Sequence, residues 1–106
     1  MFLVHAFLRS PPPGSLALPA ETPRWVLCCA ADGDRIEHVT LHPAARPDPV
    51  VGLYLSTRGL FEAERQAAWL LERTLRRHRE LLGWDLVRAE APLMRPEALW
   101  GESLDR

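Results

Sequence analysis

His38, Thr40, His42 and Tyr54 are the residues whose types and spacing suggest chemistry. On an extended strand, positions 38, 40 and 42 project to one side. An imidazole there could act as general acid or base near neutral pH, with a hydroxyl or phenol to orient its proton. His38, His42 and Tyr54 are therefore the candidate catalytic set, flanked by Thr40 and the Glu37 carboxylate. A metal is not expected: four strand residues span about 13 Å, too wide for one ion. His5 reads as a packed or interface histidine. No cofactor is expected either, since Walker, dinucleotide-binding, nucleophile-elbow and zinc-protease motifs are all missing from the chain.

The two cysteines, Cys28 and Cys29, are adjacent. On a strand they point to opposite faces, so a bridge between them would be strained. They read as free thiols in a reducing cytoplasm. The apolar start breaks at Arg9 and the prolines that follow, too early for a signal core. No run reaches the roughly 18 apolar residues of a membrane span. The expected location is cytoplasmic.

A second set of residues points to contact rather than catalysis. Trp69 falls opposite an apolar helical stripe, among Arg65, Arg73 and Arg76. It reads either as a surface Trp lying on arginine side chains or as an anchor for a protein partner. Trp69, Arg65, Arg73 and Arg76 are the candidate partner-binding residues.

These residues need elements to hold them. The strongest is a helix over residues 60–82. Leu60, Glu64, Ala67, Ala68, Leu71, Leu75, His78 and Leu82 share one face at 100° per residue. Gly59 suits its start, Arg76, Arg77 and Arg79 its last turns, and Gly83 its left-handed stop. Glu64 and His78 are about 21 Å apart along that axis and cannot form one site.

Strands are expected at residues 2–8, 25–31, 35–42, 50–56 and 84–91. The second and third form a hairpin turned by Asp32, Gly33 and Asp34. Proline-punctuated loops fill 10–23 and 43–49, with one short turn possible at Leu16, Ala17 and Leu18. Strand, helix, strand over 50–91 is a crossover unit, so its two strands should run parallel. Residues 1–95 form one α+β domain, and 96–106 form a tail carrying Leu99 and Trp100.

The order predicts a five-stranded, mostly antiparallel sheet with one long helix on one face. It resembles a degenerate ferredoxin-like sandwich in which the first proline loop replaces the first helix. Small dimeric α+β barrels of this kind include antibiotic-biosynthesis monooxygenases and polyketide cyclases. That resemblance implies a cavity between helix and sheet.

Composition narrows the function. One hundred and six residues hold one core, and 47% hydrophobic content is enough to fold it. All 13 basic residues are arginine, a skew that suggests high-GC bacterial coding. A net charge of −1 offers no field for nucleic acid. The expected function is a non-catalytic accessory or protein-interaction domain acting as a homodimer through its uncovered sheet face. The alternative is a cofactor-free enzyme or ligand-binding protein whose pocket is lined by His38, His42 and Tyr54.

Overall fold

Strand β1 (Phe2–Arg9) organises the fold. Val4, Ala6 and Leu8 are fully buried, while Leu3, His5 and Phe7 alternate with them on the other face. The computed structural model describes residues 1–12, 17–45 and 47–92. The expected tail therefore lies outside the described residues, as does Leu16 of the expected turn; Leu18 is buried.

The elements run β1, α1 (Thr22–Cys29), β2 (Ile36–His42), β3 (Val50–Leu55), α2 (Leu60–Arg77) and β4 (Asp85–Glu90). Four strands make one antiparallel sheet in the order β2-β3-β1-β4. The expected fifth strand, over residues 25–31, is helix α1. β3 and β4 are each antiparallel to β1, so they run in the same direction with β1 between them. The crossover is thus a split one, and its strands do not touch.

Helix α1 forms where the sequence suggested a strand because Pro23 starts it. Proline sits in its first turn, where no amide hydrogen bond is lost. The Thr22 hydroxyl donates to the Pro19 carbonyl at 2.7 Å. Thr22 and Val26, one turn apart, are both fully buried. The Asp32–Asp34 segment is a 3₁₀ turn rather than a hairpin tip, and it leads through Arg35, at φ 60°, into β2. The hairpin is instead β2 with β3, in register from Ile36↔Leu55 to His42↔Val50.

Helix α2 is shorter than the expected 60–82. It ends at Arg77; His78 is extended, and Arg79–Leu81 forms a 3₁₀ turn. That break lets Leu81 turn into the core, at 1% exposure, while Leu82 is left at 80%. Gly83 does hold a left-handed φ of 89°, and a Cβ there would meet the Pro11 side chain at 2.8 Å. The buried stripe of α2 is Ala63, Ala67, Leu70, Leu71 and Thr74, rotated from the expected face. Both helices pack on one face of the sheet, against Val4, Ala6, Leu8, Val39, Val51, Leu53 and Leu55. Among the described residues no helix is long and apolar enough to cross a membrane.

Arg73 ties the helix layer to the 3₁₀ turn. Its Nη1 donates to the Cys29 carbonyl and to Asp34 Oδ2, each at 2.9 Å. Asp34 Oδ2 also accepts the Ala31 amide at 2.7 Å. Burial raises the Asp34 carboxyl, but the hydrogen bonds from Arg73 and Ala31 and the Arg73 charge outweigh it and hold the group below its ordinary value. A carboxyl lowered in the folded state stabilises the fold above its unfolded pKa and loses that contribution as pH falls through the folded one. Arg73→Met should cost about 1–3 kcal/mol near neutral pH by removing the counter-charge of a buried carboxylate, which keeps only the Ala31 amide, and the partner of the Cys29 carbonyl. The gap from wild type should shrink below pH 3.8, the ordinary value for Asp34. Urea unfolding at neutral and acid pH measures both.

Candidate functional site

The face of the sheet away from the helices collects the polar and aromatic side chains. β1 contributes Leu3, His5 and Phe7; β3 contributes Val50, Gly52 and Tyr54. The edge strands add His38, Thr40 and His42 from β2, and Arg88 and Glu90 from β4. A register shift between Ile36 and His38 sets this row. It turns Ile36, which plain alternation would put on the side of His38 and Thr40, to pack with the core.

The side chains of this face touch in sequence. The His38 and Tyr54 rings are 5.7 Å apart. His42 and His5 are 6.1 Å apart, and His5 meets Phe7 edge-on at 6.3 Å. The Arg88 guanidinium lies 4.0 Å over the Phe7 ring and pairs with Glu90 at 3.0 Å. Three of the four histidines thus share one surface. Burial first, and then the nearby His42 charge, lower the pKa of His5. Neutral His5 is accordingly the form that this face favours.

Gly52 makes the arrangement possible. A Cβ there would come 2.5 Å from Thr40 Oγ1 and 3.8 Å from the His5 ring. The space above Gly52, beside Tyr54, is therefore closed by neighbours leaning over the glycine. His38, His42 and Tyr54 are brought onto one face, but that face is open to water rather than enclosed. An open groove of about 390 Å³ lies elsewhere, lined by Leu27, Asp32, Arg35, Glu37 and Ser56 among others. Among the described residues no group of three or more His, Cys, Asp or Glu side chains could hold a metal ion.

The partner-binding candidates separate. Trp69 is half-exposed, and Arg65 stacks on it at 4.8 Å. Arg65 also lies 5.6 Å over Phe61, itself 72% exposed. Phe61, Arg65 and Trp69 form a ladder at four-residue spacing, and Phe61 joins it although it is not among the expected partner-binding residues. Arg73 turns inward to Asp34. Arg76 lines a second open groove of about 350 Å³, with Glu72 and Trp84.

Two further residues escaped the sequence reading as a pair. Cys29 Sγ is 3.7 Å from His78 Nε2, 49 positions away. The His78 ring stacks on Trp25 at 4.9 Å, with planes 17° apart. With residues 25–31 read as a strand and His78 as helical, no sequence spacing could join them. Glu64, also inside the expected stripe, accepts the Ala91 amide at 3.0 Å and anchors the end of β4.

Gly52→Ala should destabilise the fold by about 1–3 kcal/mol, because a stiff β-branched neighbour must move. Adding Thr40→Ala should recover most of that loss. Chemical denaturation of the two single variants and the double variant gives the coupling. No family model, curated protein or solved structure matches this chain.

Proposed function

We propose that the protein is a non-catalytic interaction domain that works as a homodimer, with the open sheet face as its self-contact. The composition of that face supports this reading. Its two central strands carry Leu3, Phe7 and Tyr54 around His5 and Gly52, with Val50 already buried, and its edge strands carry His38, Thr40, His42, Arg88 and Glu90. A largely aromatic and apolar centre inside a polar, charged rim is the anatomy of a protein interface. Four strands at about 4.8 Å spacing and about 20–25 Å long give a face of about 400–500 Å².

The element order and the strand order β2-β3-β1-β4 also support a ferredoxin-like reading of the fold, with α1 in the place of the first helix. A sandwich with helices on one side leaves its sheet for a second copy to cover. The openness of the His38, His42 and Tyr54 row weighs against acid–base catalysis there, since water reaches all three. The dimer would display the Phe61–Arg65–Trp69 ladder outward on each copy. That ladder suits a protein partner offering an apolar pocket with carboxylates at its rim.

Sedimentation equilibrium near neutral pH tests the self-contact, with twice the chain mass expected. Phe7→Glu should give the single-chain mass with an unchanged circular dichroism spectrum, while Trp69→Ala should stay dimeric. A single-chain mass for the unaltered protein at all concentrations overturns the proposal. Acid should also dissociate the dimer. A second copy would deepen the burial that already lowers His5, so association favours neutral His5. Its contribution is present above the value His5 has in the single chain, itself below the ordinary 6.5, and is lost as pH falls through the still lower value in the dimer. His5→Gln should flatten that pH dependence.

A further inference from the structure

The contact between Cys29 and His78 has no part in the dimer reading, and it carries chemistry of its own. We infer that Cys29 is a nucleophilic thiol, with His78 as its general base, able to add to α,β-unsaturated carbonyl electrophiles. The Sγ–Nε2 separation of 3.7 Å is within the range of a sulfur hydrogen bond. With the imidazole proton on Nδ1, Nε2 is free to accept the thiol proton. The Trp25 stack, at 4.9 Å and nearly parallel, holds the imidazole ring against rotation. His78 also sits where α2 has ended, so its extended backbone aims the ring at α1.

Placement explains why a base is needed. Cys29 is the last residue of α1, where the partial negative end of the helix opposes a thiolate. Two features offset that. The Arg73 guanidinium donates to the carbonyl of Cys29 itself, at 2.9 Å, and so satisfies that helix end, although its charge is shared with Asp34. The neutral imidazole takes the proton as the sulfur attacks, so no free thiolate has to build up beforehand. Cys28, next to it, is exposed and serves as the internal reference.

The step balances without an oxidant. The sulfur lone pair forms a bond to the β-carbon, and the carbon–carbon π bond breaks toward the carbonyl as an enolate. The thiol proton passes to His78 Nε2, and from there, directly or through water, to the α-carbon. The product is a thioether and the imidazole is neutral again.

The test is site-resolved labelling of the full chain with N-ethylmaleimide near neutral pH, each cysteine followed by peptide mass. Cys29, though less exposed, should react about tenfold or more faster than Cys28. His78→Phe keeps a ring on Trp25 and removes the nitrogen, and should bring Cys29 to or below the rate of Cys28. A purely steric role for His78 predicts the reverse for His78→Ala: opening the site would speed Cys29. Equal or slower reaction of Cys29 in the unaltered protein overturns the inference without needing any variant to fold. An unchanged or faster rate in a folded His78→Phe protein overturns it as well.

Discussion

One guanidinium holds the helix layer to the start of the hairpin. Arg73, on α2, reaches the last carbonyl of α1 and the Asp34 carboxylate with the same nitrogen. Asp34 in turn accepts the Ala31 amide, closing the 3₁₀ turn whose exit is the left-handed Arg35. The Arg35 carbonyl then accepts the Ser56 amide at 2.9 Å, which sets the start of β2 against the end of β3. A cation that is one-third exposed would add little as an isolated surface pair. Here it satisfies a carboxylate at 8% exposure and an orphan helix carbonyl together, so its loss would unpair two groups.

The sheet is asymmetric for a simple reason. Val4, Ala6, Leu8, Val51, Leu53 and Leu55 lie under two helices, and small residues at Ala63 and Ala67 let α2 come close. The opposite pleats carry histidines, a tyrosine and a phenylalanine that are only partly covered. Gly52 at their middle contributes no side chain, and His5 and Thr40 occupy the space above it. The space above that glycine is thus filled by its neighbours. A surface filled in this way suits another protein surface better than a small molecule, which needs concave enclosure.

Much of the scaffold was legible in the chain itself. Alternation placed β1 and β3 to within a residue or two, and the 3.6-residue period found α2 and its start at Gly59. α1 was not legible, because Trp25, Val26 and two cysteines favour a strand by composition. The Thr-Pro start and the spacing of Thr22 and Val26 are the helical signals, but proline closes a loop as readily as it opens a helix. The end of α2 was hidden too: the arginines and Gly83 fit a longer helix, and only the packing of His78 on Trp25 and of Leu81 in the core shortens it. His38, His42 and Tyr54 fell on one face as their spacing implies, since a strand preserves alternation. The addition of His5 and Arg88 to that face depends on strand order, which periodicity does not encode.

The two surfaces argued for here are compatible because they lie on opposite sides of the sheet. A second copy seated on Leu3, Phe7 and Tyr54 leaves the helix layer facing outward. Cys29, His78 and the Phe61–Arg65–Trp69 ladder belong to that layer, so self-contact would not bury them. Their chemistry is also separate, since the Cys29–His78 contact depends on where α1 and α2 end, whereas the open face depends on side-chain alternation along β1 and β3. A substitution that frees the monomer should therefore leave thiol reactivity alone. Coupling between the two would have to pass through β1, whose core-facing side chains pack under α2 while their neighbours lie on the open face.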